Sequence, residues 1–327
     1  MPDVEYDGII LGAGHNSLVL QAYLSRAGFE VICLESGPTV GGGLRTEQWP
    51  AGSGFLHNTH SFYHRAITNM PWYQELGLDS HGAQYLEPEL NVAMLLSDNT
   101  AIEWWTDLER TAESFAQLSE ADAQRLRVWA EDFREIVDDI LIPEAQRPPR
   151  EPQERQHALA ATAAGRRLLE VATMSPRHFV EQEFTHPAIQ AGLLFFNGLR
   201  EVDLRAPGFG HHIPALLASR TKAQMCRGGS AGLAQALLRV VESSGGCVRT
   251  DTSLKRILVD GKKDPPRVIG VKPQKVSKSA RVTSSRQVSI HSRLFSSFLM
   301  HRCYPPPGDK QQVNFVTTCW PPSSACI

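Results

Sequence analysis

The chain has 327 residues, of which 42% are hydrophobic and 21% charged, and its formal net charge is −2. These values are typical of globular proteins and exclude a fibrous chain or one that is disordered throughout. A net charge this small gives no indication of a nucleic-acid partner. No apolar run reaches the roughly 18 residues that a membrane-spanning helix needs, and a chain of this length is expected to form two lobes.

The cysteines and the N-terminus bear on the compartment. The six cysteines show neither a Cys-x-x-Cys pair nor a metal-ligand spacing, which favours reduced thiols in a reducing compartment. The first residues, Met1 to Tyr6, are acidic and resemble neither a signal peptide nor a transit peptide. We therefore expect a cytoplasmic protein without an integral membrane segment.

The first predicted unit is a strand followed by a glycine-rich turn. Tyr6–Leu11 is a short apolar run that is typical of buried parallel strands. It is followed by Gly12-Ala13-Gly14-His15-Asn16-Ser17, which matches the first two glycines of the dinucleotide motif G-x-G-x-x-G. Gly12 would permit the tight turn, and Gly14 would let a pyrophosphate approach the backbone. Ser17 replaces the third glycine.

A helix and a second strand complete this unit. The helix is predicted over residues 18–27 and ends at Gly28, and its first N–H groups would face the cofactor phosphates. The second apolar strand, residues 29–35, ends at Glu35. A carboxylate there accepts hydrogen bonds from an adenosine ribose and disfavours the 2′-phosphate of NADP. The alternative is a glycine turn in a generic α/β protein.

The next segment distinguishes FAD from NAD. Val40-Gly41-Gly42-Gly43-Leu44-Arg45-Thr46 places consecutive glycines, then Arg and Thr, shortly after the acid. Such glycines bring backbone amides against a pyrophosphate and ribityl chain, and Arg45 would supply a cation for the diphosphate. The alternative here is a flexible glycine linker.

Together these motifs resemble those of the amine oxidase and phytoene desaturase superfamily, and they are most similar to its phytoene-desaturase-like branch. The resemblance implies an α/β Rossmann-type FAD/NAD(P)-binding fold with an inserted α+β substrate lobe, and FAD as the cofactor. It also gives the mitochondrial matrix as an alternative compartment. The family usually has Gly at Ser17 and Ala or Arg at Gly43. The residues expected to contact FAD are Gly12, Gly14, His15, Asn16, Glu35, Gly41, Gly42, Arg45, Thr46 and Leu254.

The middle of the chain begins with a predicted β-hairpin over residues 91–105. Trp104 and Trp105 in its second strand could line an apolar substrate site or pack in the core. Adjacent strand residues point to opposite faces, so at most one of them faces any given pocket, and we favour core packing.

Helices are predicted to follow this hairpin. A capping box at Ser119 opens a long amphipathic helix through Leu141, and Gln146–His157 is predicted to be an exposed loop. The apolar content of this region fits an isoprenoid or another apolar substrate and fits ordinary core packing equally well.

Histidines occur in two groups, His57, His60 and His64, and His211 with His212. Neither group has the accompanying acidic or cysteine ligands that a metal site needs, so no metal is predicted. Because the first group follows the FAD loop, His57 or His60 could lie near the flavin as a polar or proton-relay residue.

The chain then returns to the nucleotide lobe. Arg227–Leu233 is predicted to be a glycine turn that enters a helix, and strands are predicted at 247–250, 254–259 and 268–271. In the resembling family a Gly-Gly-x-x-x-Leu pattern marks this return, and a valine at the position of Leu254 meets the adenine. The alternative is a generic helix–strand return.

From Pro273 onward the sequence is basic and rich in serine, with seven Lys and Arg against one Asp. We expect an atypical, disordered tail here. The family has further strands and a glycine-rich segment that closes over the flavin, and this sequence shows neither, which bears on catalysis more than on fold. The predicted divisions are an FAD-binding lobe at 1–60, a mainly helical substrate lobe with a β-hairpin at 61–220, a return to the FAD lobe at 221–272, and the tail at 273–327.

We therefore expect an FAD-dependent oxidoreductase of the phytoene dehydrogenase type, which transfers hydride from an apolar substrate, isoprenoids included, to flavin. No catalytic acid or base is identified. The alternative is a truncated, non-catalytic homologue that acts as an interaction or regulatory protein. An NAD-linked dehydrogenase is a third hypothesis, but it leaves the segment Gly41–Thr46 unexplained. The expected partner is an apolar small molecule, and no nucleic acid.

Overall fold

The computed structural model describes residues 4–198, 203–220, 223–262, 267–274, 280–282 and 288–291. Its strands are β1 Val4–Tyr6, β2 Gly8–Leu11, β3 Val31–Leu34, β4 Thr46–Gln48, β5 Leu56–Asn58, β6 Tyr85–Leu86, β7 Leu90–Leu95, β8 Ala101–Trp105, β9 Met225–Cys226, β10 Cys247–Arg249, β11 Leu254–Asp260, β12 Arg267–Pro273, β13 Ala280–Val282 and β14 Val288–His291.

The helices are α1 His15–Arg26, α2 Pro71–Glu75, α3 Leu108–Ala116, α4 Glu120–Asp132, α5 Arg134–Ile136, α6 Ile142–Ala145, α7 Pro152–Ala160, α8 Ala163–Ala172, α9 Pro176–Glu183, α10 Pro187–Gly198, α11 His212–Ala218 and α12 Ala231–Ser243. A 3-10 turn lies at Ile67–Asn69 and a π-helical turn at Val137–Leu141. None of the described helices is both long and apolar enough to cross a bilayer.

The chain divides into two compact units, and the second is inserted into the first. Residues up to 86 and those described from 224 to 291 form the first unit, and the described residues of 87–223 form the second. The predicted inserted lobe begins earlier, at residue 61. The difference arises because residues after 61, including Tyr73, Leu76 and Leu78, are buried in the core of the first unit.

A parallel sheet forms the centre of the first unit. Its strand order is β10-β3-β2-β14, and each neighbouring pair is parallel. Numbered by their place in the chain these strands run 3-2-1-4, the order of a Rossmann half. The predicted α/β Rossmann-type fold is confirmed. The order reverses between β2 and β14, so the ligand crevice of this fold is expected beyond the carboxyl end of β2.

Apolar side chains explain this sheet and the helices on it. β3 is buried along its whole length, as expected of a central parallel strand. Helix α1 packs on the sheet and on α12 within one hydrophobic core. The Gln21 side-chain amide of α1 donates to the carbonyls of Val31 (3.1 Å) and Cys247 (2.8 Å), and so ties the helix to the starts of β3 and β10.

A second sheet of the first unit has the order β1-β13-β12-β11. The run Tyr6–Leu11, predicted as one strand, is divided between the two sheets at Asp7. The break occurs because Asp7 N donates to Glu30 O (2.8 Å) and its carboxylate accepts from Glu30 N (2.9 Å). Strands β13 and β14 lie within the predicted tail, while residues 292–327 lie outside the described part of the chain.

The second unit contains the hairpin β7–β8 and helices α3 to α11 around their own core. The hairpin and the cap at Ser119, whose hydroxyl accepts from Asp122 N, are confirmed. The backbone is helical through Leu141, as predicted, but it does not form one uninterrupted α-helix, because α4 ends at Asp132 and α5 and a π-helical turn follow. The predicted loop is also wrong from Pro152, where proline at the first helical position begins α7.

Candidate dinucleotide site

The glycine turn lies where the fold places its ligand crevice, between β2 and α1. Gly12 has φ +88°, a left-handed conformation that favours glycine, and its N–H donates to Leu34 O at 2.8 Å. Gly14 is the N-cap of α1 with φ −69° and no side-chain cap. A Cβ atom on Gly14 would meet nothing within 4 Å. The start of the helix therefore faces open space, and its first N–H groups have no intrahelical acceptor.

The second glycine loop lies directly against the first. Gly41 N donates to Ala13 O at 2.7 Å, and Gly14 and Gly41 form an isolated parallel bridge. Gly42 has φ +59°, and a Cβ there would lie 3.3 Å from Gly14 Cα. The sequence separates these two loops by a helix and a strand, and the fold brings them together around one recess.

Gly41 also has a packing role that sequence reasoning did not identify. Its φ is +115°, and a Cβ would lie 2.7 Å from Ala234 Cβ and 2.8 Å from Leu44 O. This position needs glycine because α12 approaches it closely. At Gly43, in contrast, φ is ordinary and an added Cβ would have no atom within 4 Å.

The carboxylate of Glu35 lies at the end of β3, beside the glycine turn. Its Oε2 accepts from Ala13 N and its Oε1 accepts from Gly37 N, both at 2.8 Å. These two bonds fix the carboxylate in place. Oε1 also accepts from the Ser36 hydroxyl at 3.2 Å, whereas Oε2 accepts, among the described residues, only from Ala13 N and keeps a lone pair that can accept from a ribose hydroxyl.

Arg45 and Thr46 make contacts within the protein. Arg45 Nε lies 2.6 Å from a carboxylate oxygen of Glu47, and both side chains are about half exposed. The Thr46 hydroxyl donates to Asn58 Oδ1 at 2.8 Å and accepts from Ala231 N at 3.0 Å. Thr46 therefore joins the second glycine loop to the start of α12, whereas Arg45 lies at the surface in a solvent-exposed ion pair.

Asn58 is a positioning residue that sequence reasoning missed. Its Oδ1 also accepts from Ser230 N at 2.9 Å and from the Ser230 hydroxyl at 3.2 Å. It thereby holds the returning Gly228-Gly229 turn against β4 and β5. An isolated asparagine in a short strand carries no sequence signal for this role.

Ser17, which stands at the third motif glycine, lies on α1 and is 1% exposed. Its hydroxyl has no hydrogen-bond partner among the described residues. The fold tolerates the serine, although a buried hydroxyl without a partner costs free energy.

Leu254 begins β11 and packs against the cluster of Ile9, Ile32, Leu34 and Val271. This places it on the face of the parallel sheet opposite to the core that α1 covers.

The three histidines of the first predicted group have different environments. His57 and His60 are exposed, with His57 Nε2 3.0 Å from Trp49 O and His60 Nδ1 3.1 Å from the Thr59 hydroxyl. His64 is buried. In the described part of the chain no three His, Cys, Asp or Glu side chains converge on a point that could hold a metal ion.

Burial lowers the pKa of His64 to about 4, with a further contribution from the charge of His15. Burial also lowers the pKa of His15, the first residue of α1. Both imidazoles are therefore neutral near pH 7. Burial raises the pKa of the Cys33 thiol to about 12, assisted by the charges of Glu35 and Cys247, so this cysteine next to the site stays protonated.

As predicted, Trp104 and Trp105 lie on opposite faces of the hairpin. Trp104 packs on the core of the second unit, edge to face with Phe115 at 6.3 Å. Trp105 lies under the guanidinium of Arg110 at 3.3 Å, and its Nε1 donates to Glu103 at 3.0 Å. The core packing predicted for these residues holds for Trp104.

Comparison with known proteins agrees with the geometry of the first unit. Residues 10–76 match the family of NAD(P)-binding Rossmann-like domains. The chain is 31% identical over 255 residues to the B subunit of limonene dehydrogenase from Castellaniella defragrans, over 78% of this chain and 46% of that protein. It is 29% identical over 140 residues to pyridine nucleotide-disulfide oxidoreductase domain-containing protein 2 of Rattus norvegicus, covering 41% and 24%. The chain spans less than half the length of these relatives.

Solved structures share the fold at low sequence identity. Putrescine oxidase bound to putrescine matches with a TM-score of 0.54 and 17% identity, over 88% of this chain and 58% of that one. Rab GDI from Plasmodium falciparum matches with a TM-score of 0.53 and 13% identity, over 88% and 66%. Since an oxidase and Rab GDI are both similar to this chain, the fold alone does not determine the chemistry.

Proposed function

We propose that this chain, which belongs to the family of oxidoreductases built on an NAD(P)-binding Rossmann-like domain, binds FAD and transfers hydride to it from an apolar small molecule. The observation that carries the proposal is the open space at Gly14, bounded by the start of α1 and by the second glycine loop. A backbone recess at the switch point of a parallel sheet is suited to a diphosphate.

The residues around this recess fit a dinucleotide. The N–H groups at the start of α1, aided by the helix dipole, would hold the diphosphate next to Gly12 and Gly14. Glu35 would accept from the adenosine ribose, and its bonds to Ala13 and Gly37 orient it for this role. His15 and Asn16, in the first turn of α1, complete the proposed diphosphate contacts.

The second glycine loop favours FAD over NAD. Gly41 and Gly42 bring a second stretch of backbone to within contact of Gly14, as a ligand with a ribityl extension requires. Arg45 is exposed and would exchange Glu47 for a phosphate without leaving a buried charge unpaired. Thr46 would act by holding this loop, and Leu254 remains the proposed adenine contact. The bound flavin would supply the hydride-accepting ring.

An apolar substrate is supported by the name of the relative from Castellaniella defragrans. Limonene is an isoprenoid hydrocarbon, and that limonene dehydrogenase polypeptide is 31% identical to this chain over the matched region. The phytoene-dehydrogenase-like type of reaction, and an isoprenoid as its substrate, belong to the same proposal. A cytoplasmic location, with the mitochondrial matrix as the alternative, is proposed from the free thiols Cys33, Cys226 and Cys247.

A non-catalytic homologue is the second candidate, because the fold alone does not determine the chemistry. Such a homologue would retain the fold, as the similarity to Rab GDI illustrates, without turning over a substrate. The two candidates differ in whether a bound flavin is reduced by any substrate.

The variant Gly14→Ala tests the site. Gly14 has an ordinary φ and its added methyl group would contact no protein atom, so the variant should fold like the native chain. The same methyl group would fill the recess and should weaken FAD binding about 100-fold or more, since close backbone approach is the reason for glycine in this motif. FAD binding is measured by quenching of flavin fluorescence, and folding by the midpoint of thermal unfolding.

Gly43→Ala is the matched control, because its methyl group also meets no protein atom and Gly43 is not among the residues proposed to contact FAD. It should leave both FAD affinity and thermal stability unchanged. If Gly14→Ala bound FAD as tightly as Gly43→Ala, the proposed site would be wrong.

A further inference from the structure

A hydrogen-bond network joins the second glycine loop, residues 41–46, to the start of α12 in the first unit. At its centre is Asn58, whose Oδ1 accepts from the Thr46 hydroxyl at 2.8 Å, from Ser230 N at 2.9 Å and from the Ser230 hydroxyl at 3.2 Å. The Thr46 hydroxyl in turn accepts from Ala231 N at 3.0 Å. One amide oxygen and one hydroxyl oxygen therefore satisfy two backbone N–H groups at the start of α12, where such groups have no intrahelical acceptor.

Close packing and a backbone bond hold the same end of the loop. Ser230 is 1% exposed, and a Cβ atom on Gly229 would collide with the Thr46 side chain. On the other side, Thr59 N donates to Arg45 O at 3.1 Å. The conformation of the loop is therefore fixed by β5 and by the start of α12, two elements that lie far from it in the sequence or beyond its own motif.

The network is separate from the part of the site that is proposed to hold the ADP half of the ligand. The Glu35 carboxylate accepts from Ala13 N and Gly37 N, and both residues lie outside the network. The two parts of the site meet where Gly41 N donates to Ala13 O at 2.7 Å. A shift of the loop would therefore alter the side of the recess that the loop forms and leave Glu35 and the start of α1 in place.

We propose that Asn58 is a positioning residue that makes this site select FAD over smaller adenine nucleotides. The inference rests on the proposed function, in which the ribityl extension of FAD contacts Gly41 and Gly42. Asn58 acts through Thr46, by holding the loop in the arrangement that receives this extension before the ligand arrives. A loop that is already fixed in its bound conformation lowers the ordering cost of binding. ADP has no ribityl extension, so its affinity does not depend on the loop.

The variant Asn58→Ala tests this role, because it removes the oxygen that accepts all three bonds. Thr46 and Ser230 then lose their shared partner. We expect the Kd for FAD to rise about tenfold or more and the Kd for ADP to change by less than about twofold. A variant that merely destabilised the first unit would weaken both ligands alike, so the ratio of the two affinities separates positioning from a general structural role.

Isothermal titration calorimetry of the full chain with FAD and with ADP measures both affinities. Equal weakening of the two ligands in Asn58→Ala, or an unchanged Kd for FAD, would overturn the inference. The matched control is Thr59→Ala, which removes an exposed hydroxyl from the next residue. That hydroxyl bonds His60 and not the loop, so both Kd values should stay unchanged, and a loss of FAD preference equal to that of Asn58→Ala would also overturn it.

If Asn58→Ala does not fold, the pair Thr46→Val and Thr46→Ser decides. Thr46→Val keeps the shape of the side chain and removes the hydroxyl that joins Asn58 to Ala231, so it should lose FAD preference. Thr46→Ser keeps the hydroxyl and should restore it. A native preference for FAD that survives in Thr46→Val would overturn this inference alone. A native chain that binds FAD no more tightly than ADP, or binds neither, would instead overturn the proposed function.

Discussion

The two units stabilise their turns by different means. In the first unit the chain turns at glycines whose backbone lies against other backbone, as at Gly41, and a recess remains open at Gly14. In the second unit the buried carboxylate of Asp122 accepts from Thr185 N, the Thr185 hydroxyl and His186 N at 2.8–3.1 Å. The Asp122 carboxylate of the second unit is therefore satisfied within the protein, whereas the first N–H groups of α1 in the first unit have no intrahelical acceptor. The comparison teaches that candidate ligand-binding groups include backbone N–H groups at glycines, where no side chain blocks access to the backbone.

The largest effect is expected at Gly41. The Gly41→Ala variant places a methyl group 2.7 Å from Ala234 Cβ and 2.8 Å from Leu44 O, in a left-handed conformation with φ +115°. Leu44 O is a backbone atom, and its displacement would disturb the loop. We therefore expect a loss of about 4 kcal/mol or more in the free energy of unfolding. Urea denaturation measures it, and Gly43→Ala, which meets no atom, should change stability by less than about 0.5 kcal/mol. Equal stabilities would show that α12 does not approach Gly41 as described.

In the second unit, the corresponding test is the effect of Asp122→Ala on the free energy of unfolding. Asp122→Ala removes an acceptor that is 1% exposed and takes the hydrogen-bond partner from the N–H groups of Thr185 and His186. We expect a loss of about 2–4 kcal/mol. Asp122→Asn keeps one carbonyl oxygen and should recover part of it. Denaturation followed by tryptophan fluorescence measures both, and a neutral Asp122→Ala would contradict the role of this carboxylate.

The two units also differ in how well the sequence predicts them, because the first is marked by glycine motifs and the second by helical periodicity. Glycines with a fixed spacing have few physical interpretations, so the sequence located the turn at Gly12 and the end of β3 beside Glu35 correctly. Helical periodicity has many interpretations. It predicted one helix through Leu141, and the structure has helical backbone there that is interrupted after Asp132 and becomes π-helical at Val137. Periodicity indicates which side of a helix is buried and says little about where its hydrogen-bonding pattern changes.

Long-range contacts account for the rest of what the sequence could not show. Thr46 was assigned to the cofactor from its place in the motif, yet its hydroxyl bonds Asn58 and Ala231, and the second partner is brought near only by the return of the chain. The same holds for the pairing of His64 with Tyr85. Spacing within a motif cannot reveal a partner that the fold supplies from elsewhere.

The smallest expected effect compares two buried hydroxyls of the first unit. Ser17 and Ser230 are both 1% exposed, but only the Ser230 hydroxyl has a partner, Asn58. Ser17→Ala should raise the free energy of unfolding by about 1 kcal/mol by removing an unsatisfied group, and Ser230→Ala should lower it by about 1 kcal/mol. Thermal unfolding of the two variants distinguishes the expected increase in stability from the expected decrease. Destabilisation by Ser17→Ala would mean that its hydroxyl has a partner.

The visible absorption spectrum of the purified chain, after incubation with FAD and removal of free ligand, tests the central claim most directly. We expect flavin bands that remain with the protein, and release of about one FAD per chain on denaturation, because the recess at Gly14 and the carboxylate of Glu35 are proposed to bind the dinucleotide. A colourless protein that is folded and retains no flavin would contradict the assignment of this recess to FAD.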